Sequence, residues 1–165
     1  MRKTTSIMGV PFDVIKMEDA SNKIMSFFDD GGSNIICTPN PEIVMEAQND
    51  SRLMYILKAA DLVVPDGIGV VWASKFNKVK ITERVAGYDL CQSLFKKMAQ
   101  SGKTVYFFGG APGVAHKAAD KMTLKYKGLK IVGTRNGYFN STEEKEIIRE
   151  IKKASPDLLL VGLGA

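Results

Sequence analysis

Asp61-Leu62-Val63-Val64-Pro65-Asp66-Gly67-Ile68-Gly69 joins three kinds of local structure in nine residues. Its first half is a short apolar run, the pattern of a strand buried on both faces. Its second half is turn chemistry: Pro65 presets φ and Gly67 accepts positive φ. A helical segment over residues 69–76 follows. The stretch thus reads strand, tight turn, helix, and leaves one carboxylate, Asp66, at the carboxyl end of the strand. In open α/β sheets ligands bind at that edge. Asp is also a common turn residue and helix cap, so the local pattern alone leaves both readings open.

The same grammar repeats on either side. Residues 6–14 read as a short hairpin or edge strand around Gly9 and Pro11. Met17, Ala20, Ile24, Phe27 and Phe28 recur at helical spacing, which predicts a helix over 17–29 closed by the loop 29–33. Ile35-Ile36-Cys37 reads as a buried strand. In Thr38-Pro39-Asn40-Pro41-Glu42, Asn40 is placed as an N-cap, Pro41 at the first helical position and Glu42 in the first turn of a helix over 41–48. Its amino end brings free N–H groups to the carboxyl edge of the strand. Thr38 and Asn40 therefore serve either capping or a ligand. Helices are predicted over 51–60, with Leu53, Ile56 and Leu57 apolar, and over 88–100, the latter closed by Gly102. Residues 77–86 form a polar, basic loop in which Arg84 matters only if the loop folds over the site.

Thr104-Val105-Tyr106-Phe107-Phe108 reads as a strand, and Gly109-Gly110-Ala111-Pro112-Gly113 leads into a helix with Val114, Ala115, Ala118, Ala119 and Met122 inward. A glycine-rich turn between strand and helix lets backbone N–H groups approach a phosphate. It is not a P-loop, since the Gly-Lys-Ser/Thr ending is absent. Nor is it a good dinucleotide fingerprint: after the strand at 130–133 comes Thr134-Arg135-Asn136, without the ribose-binding acid. His116 falls on a polar face with Asp120 and Lys127 and reads as a surface histidine. Asn136-Gly137-Tyr138-Phe139 is a turn whose aromatic ring can stack on a base. Ser141-Thr142-Glu143-Glu144 reads as a capping box before a helix with Ile147, Ile148 and Ile151 inward. The chain closes on an expected buried strand at 157–161 and a further glycine turn through Ala165, which suits a chain cut, or naturally stopping, before another segment. The alternation predicts an α/β fold: a mostly parallel, Rossmann-like sheet with helices on both faces, plus the small N-terminal hairpin.

Composition sets the remaining bounds. The 165 residues suit one domain, and 45% hydrophobic with 25% charged residues is ordinary globular composition. The start lacks an apolar signal region, and no apolar run approaches the roughly 20 residues of a membrane span. Cys37 and Cys91 sit in apolar contexts as reduced thiols. The net charge is +5 and the pI about 9.1. Lysines group at 75, 78 and 80 and at 117, 121, 125, 127 and 130. They form either a solvated surface or a seat for anionic lipid headgroups or a diphosphate; nucleic acid ranks last, because no nucleic-acid motif occurs.

Five segments together carry a resemblance: Thr38-Pro39-Asn40-Pro41-Glu42, Val64-Pro65-Asp66-Gly67, Glu83-Arg84-Val85-Ala86-Gly87, Phe107 through Gly113, and Gly137-Tyr138-Phe139. In this order, over nearly the whole chain, they resemble the WecG/TagA/CpsF family of bacterial glycosyltransferases (glycosyltransferase family 26), nearest to its N-acetylmannosaminyltransferases of wall teichoic acid synthesis. The final Val161-Gly162-Leu163-Gly164-Ala165 also matches. In the family it runs on into a C-terminal appendage, thought to help membrane docking and to complete the site, that is not in this sequence.

The resemblance implies transfer of N-acetylmannosamine from its UDP donor to N-acetylglucosamine on undecaprenyl diphosphate, forming a β1,4 linkage with inversion. It implies no obligatory metal cofactor and a peripheral enzyme at the cytoplasmic face of the plasma membrane, with self-association as dimer or trimer plausible. It implies Asp66 as the base, with Thr38, Asn40 and Arg84 in the site. Single displacement needs one carboxylate to take the acceptor proton, and a leaving UDP without a metal needs N–H groups, helix ends or Arg. The absence of any Asp-X-Asp motif agrees. In this scheme Thr38 and Asn40 position the donor sugar or Asp66, and Arg84 neutralises a diphosphate. Gly109, Gly110 and Gly113 approach the nucleotide, and Asn136, Gly137 and Tyr138 line its base or ribose. The rivals are a family member using another UDP-sugar such as UDP-N-acetylmannosaminuronic acid, a UDP-binding module with little activity, and a Rossmann oxidoreductase.

Overall fold

A computed structural model describes residues 2–164; Met1 and Ala165, the last residue of the expected closing turn, lie outside the described residues. The chain divides within one helix into two compact units, Met1–Leu94 and Phe95–Ala165.

The first unit begins with the hairpin β1 (Thr4–Ile7) and β2 (Val10–Asp13), joined by the two-residue turn Met8–Gly9 with both φ positive, the turn that matches strand twist. Helix α1 (Met17–Phe27) follows. Then β3 (Ile36–Cys37) leads into α2 (Pro41–Glu46) and α3 (Ser51–Ala59), and β4 (Leu62–Val63) into α4 (Ile68–Ser74) and the start of α5 (Gly87–Ser101). β3 and β4 pair in parallel, Ile36 against Leu62 and Cys37 against Val63. The Val64 N–H extends the pairing to the Cys37 carbonyl at 2.9 Å. Leu62, Val63 and Val64 are fully buried, as the apolar run requires. The core gathers Val10, Phe12, Val44, Leu57, Val63, Val70 and Ile81.

Asp13 ties the hairpin to β4. Its carboxylate is buried and accepts two hydrogen bonds from the Arg2 guanidinium, at 2.7 and 2.6 Å, and the Val63 N–H at 2.8 Å. Arg2 also donates to the Ala60 carbonyl at 2.7 Å. A buried charge is tolerated when paired and hydrogen-bonded in this way.

The second unit is a three-stranded parallel sheet ordered β6-β5-β7: β5 (Thr104–Gly109) in the centre, β6 (Lys130–Arg135) and β7 (Leu158–Gly162) flanking. Helix α6 (Val114–Lys125) joins β5 to β6, and α7 (Glu144–Ala154) joins β6 to β7. Phe95 stacks on Phe107, ring centroids 5.6 Å apart, and meets Tyr126 edge-on. Gly133 leaves room for the Tyr106 ring, whose nearest carbon would lie 2.3 Å from a Cβ there.

The elements agree with the pattern reading, and several details correct it. Strand β3 is only half-buried and Ile35 is exposed; among the described residues it pairs on one side alone. The expected helix over 41–48 ends at Glu46. Val114 and Ile148 are exposed rather than inward. The closing strand is not buried: Leu159 and Val161 are exposed, because among the described residues β7 pairs with β5 alone. The capping box sits one residue earlier than expected. Asn140, not Ser141, accepts the Glu143 N–H at 3.2 Å while Glu143 accepts the Asn140 N–H at 3.0 Å, and α7 proper starts at Glu144. Cys37 and Cys91 are free thiols, and burial pushes Cys91 up to about 11.

Candidate functional site

In the first unit the carboxyl ends of β3 and β4 each give way to a helix start. After β3, Asn40 caps α2, its Oδ1 accepting the Ile43 N–H at 2.9 Å, with Pro41 at the first helical position. After β4 the chain turns at Pro65-Asp66-Gly67, and Gly67 takes φ +90° ahead of α4. That φ is closed to an ordinary L residue. The two turns are in contact: a Cβ on Gly67 would lie 3.1 Å from Pro41 Cδ, and one on Gly69 2.8 Å from Pro41 Cγ.

Asp66 is half-buried. Its Oδ2 accepts the N–H of Gly87, the first residue of α5, at 3.0 Å, and its Oδ1 accepts no hydrogen bond among the described residues. The carboxylate is therefore aimed by one oxygen and open at the other. It also lies in the favourable field of a helix amino end. Thr38 meets the same glycine: a Cβ on Gly87 would sit 3.0 Å from its Oγ1. Thr38, Asn40 and Asp66 are thus brought together around Pro41 and Gly87.

The loop carrying Arg84 folds against this turn. The Val85 N–H donates to the Pro65 carbonyl at 2.9 Å, Val85 and Ile81 are buried, and Glu83 accepts the Met17 N–H at 3.1 Å. Arg84 itself points out. Its guanidinium reaches Asp89 at 3.5 Å, both side chains about half exposed, an arrangement that holds little energy. The structure does not bring Arg84 into contact with Asp66. Gly87 is the residue that sequence reasoning quoted but gave no role; a glycine opening a helix after a basic loop was the available signal.

In the second unit the carboxyl ends of all three strands converge on glycine. Gly109 pairs with Gly162 across β5 and β7, and a Cβ on Gly109 would fall 2.0 Å from the Gly162 oxygen. The Gly110 N–H donates to that same oxygen at 3.0 Å, and the Gly137 N–H to the Gly110 carbonyl at 2.9 Å. The Gly110 amide is therefore spent on packing this edge rather than left for a phosphate, a limit on the expected phosphate cradle, and the Gly137 amide of the turn expected at base or ribose is spent likewise. Gly113 differs: it faces open space at φ +82° and starts α6 with no side-chain cap. Tyr138 is largely exposed, and the Asn136 side chain accepts its N–H at 2.9 Å. His116 is exposed beside Asp120 at 3.1 Å, as expected. Among the described residues no three His, Cys, Asp or Glu side chains gather as metal ligands.

Comparison with known proteins shows the family. Residues 5–165 match the glycosyl transferase WecG/TagA/CpsF family. The N-acetylglucosaminyldiphosphoundecaprenol N-acetyl-beta-D-mannosaminyltransferase of Bacillus spizizenii is 36% identical over 139 residues, 84% of this chain and 53% of the relative. The Bacillus subtilis protein of the same name is 31% identical over 130 residues, covering 79% and 50%. That of Staphylococcus aureus is 29% identical over 160 residues, covering 96% and 62%. The chain spans about half to three-fifths of the length of these curated relatives. With the family matched from Thr5 onward, the chain belongs to the WecG/TagA/CpsF family of glycosyl transferases.

Proposed function

We propose that the protein containing this chain transfers N-acetylmannosamine from UDP-N-acetylmannosamine to N-acetylglucosaminyl-diphospho-undecaprenol, with inversion to a β1,4 linkage. The observation that carries this reading is the Asp66 carboxylate, anchored through Oδ2 and open at Oδ1 at the end of a buried strand, in a chain whose relatives are named for that transfer. Those names favour the mannosaminyl donor over another UDP-sugar. Asp66 takes the proton of the acceptor hydroxyl. The freed oxygen bonds the sugar's anomeric carbon while the bond to UDP breaks, UDP leaving with the electron pair. Thr38 and the Asn40 amide orient donor sugar or base, and Arg84 neutralises diphosphate. The uncapped start of α6 beyond Gly113 supplies N–H groups to the nucleotide, with Gly109 and Gly110 keeping the edge low, and Asn136, Gly137 and Tyr138 flanking base or ribose.

The wider proposal is a single glycosyltransferase domain over 1–165 with a mostly parallel, Rossmann-like architecture. Support comes from the parallel pairing within each unit. Metal-independent turnover, attachment to the inner face of the plasma membrane and homo-oligomer formation belong to the same reading. No helix among the described residues is long and apolar enough to cross a membrane. The test is Asp66→Asn in the full-length protein, scored by UDP release and by calorimetric UDP binding. Turnover falls at least about 100-fold with UDP affinity retained; near-normal turnover would show that Asp66 is not the base.

A further inference from the structure

Helix α4, which starts directly after the Asp66-Gly67 turn, is apolar on both sides, with Val70, Val71 and Ala73 packed in the core. Its buried side carries Val70 and the hydroxyl of Ser74, which donates to the Val71 carbonyl at 2.7 Å and accepts the Ile81 N–H at 2.9 Å. Its outer side carries Ile68 and Trp72, 61% and 63% exposed, and the turn that continues it carries Phe76, 94% exposed. Positions 68, 72 and 76 are four apart, so they stack along one face. Single exposed apolar residues are ordinary, but three aligned on one short element form a patch that water does not favour.

Charge indicates what covers it. Residues 67–82 contain Lys75, Lys78 and Lys80 and no Asp or Glu, and all three lysines are exposed. The Lys75 ammonium stands 5.6 Å from the Trp72 ring centre. An indole and a phenyl ring rimmed by lysines match the boundary of an anionic bilayer, where rings lie at headgroup depth and ammonium groups meet lipid phosphates. A second copy seated face to face would set one lysine cluster against another, since a two-fold interface repeats the same patch on both sides.

We propose that Ile68, Trp72 and Phe76, with Lys75, Lys78 and Lys80, form the surface by which this unit seats on an anionic lipid bilayer. Ile68 is two residues from Asp66, so seating α4 brings the Asp66 turn to headgroup level, where a lipid diphosphate acceptor is held. The identity of that acceptor rests on the function proposed above; the seating itself does not.

Trp72 is the sole tryptophan of these 165 residues, so with any tryptophan outside them replaced by phenylalanine its emission reports this face alone. The full-length protein is titrated with vesicles of equal phosphatidylglycerol and phosphatidylcholine, with pure phosphatidylcholine and inorganic phosphate as controls. Trp72 emission shifts to the blue and is quenched by brominated lipid only with anionic vesicles. Lys78→Gln and Lys80→Gln each lower partitioning about fivefold, and Phe76→Ser about tenfold or more. Because Phe76 is almost wholly exposed, its loss leaves the melting temperature unchanged. Phe76→Ser keeps turnover on a short-chain, water-soluble acceptor but loses at least about tenfold on acceptor embedded in vesicles. Unchanged Trp72 emission on anionic vesicles overturns the proposal. So does emission already blue without lipid, whether relieved by Phe76→Ser together with loss of self-association (a second copy) or not (the rest of the chain). If Asp66→Asn stays active while Trp72 still docks, only the functional reading fails.

Discussion

Replacing Gly109 by Ala tests whether the carboxyl edge of the second unit is built by close backbone packing. The added Cβ would lie 2.0 Å from the Gly162 oxygen, 2.5 Å from its carbonyl carbon and 2.9 Å from its Cα. An ordinary carbon–oxygen contact is about 3.3 Å or more, so the end of β7 must retreat by roughly 1 Å. All three atoms are backbone, and no rotamer change relieves them. That retreat strains the Gly110 N–H bond to the same oxygen, a loss of about 1 kcal/mol. Overpacking adds about 1–3 kcal/mol, and holding a non-glycine residue at φ +138° about 1–3 kcal/mol more. The expected loss is about 3–7 kcal/mol, a large part of a typical domain's stability. Two controls separate the causes. Gly113→Ala meets open space but keeps φ +82° and loses about 1 kcal/mol; Gly162→Ala meets nothing and needs no positive φ, and stays within about 0.5 kcal/mol. Urea unfolding followed by circular dichroism ranks the three, and hydrogen exchange of the β5 amides locates the damage. If Gly109→Ala loses no more than Gly113→Ala, the edge is not held by the Gly109–Gly162 contact.

Other perturbations follow from the same geometry. Asp13→Ala strands the Arg2 guanidinium and the Val63 N–H and destabilises by about 3 kcal/mol in chemical denaturation; a loss under 1 kcal/mol would mean that water replaces the carboxylate. Gly87→Ala gains about 1 kcal/mol of helix propensity but presses a methyl on Thr38 Oγ1, so stability moves little while transferase turnover falls; unchanged turnover would detach Gly87 from the site. At Asp157, burial pushes the carboxyl up, but the Thr104 N–H and hydroxyl and the charge of Lys103 outweigh it and hold the group below its usual value. A carboxyl lowered in the folded state contributes stability above its unfolded value near pH 4 and gives it up as pH falls through the folded one. Asp157→Ala is therefore about 1 kcal/mol less stable at pH 7, and the gap to wild type narrows below about pH 4; a gap constant down to pH 2 would contradict this.

Local chemistry is what the sequence determined by itself. The Val64-Pro65-Asp66-Gly67 turn, the Asn40 cap with Pro41 behind it, the small N-terminal hairpin around Gly9 and the alternation of strands with helices all rest on φ preferences, on periodicity and on hydrogen bonds between near neighbours. These are properties of a few consecutive residues. The family segments belong with them, being short runs in a set order. What those pieces face follows from how distant segments pack. Ile35, Val161 and the outer side of α4 are apolar, and apolar residues read as buried until the pairing of β3, the edge position of β7 and the inward turn of Ser74 are known. Gly87 acquires its part only because α5 starts beside the turn after β4, so that its N–H meets Asp66, 21 residues earlier in the chain. The glycines at 109, 110 and 113 read alike as a phosphate cradle, yet the Gly110 amide binds a neighbouring carbonyl while Gly113 faces open space. Burial and pairing depend on distant segments arriving at one place, which no local pattern encodes.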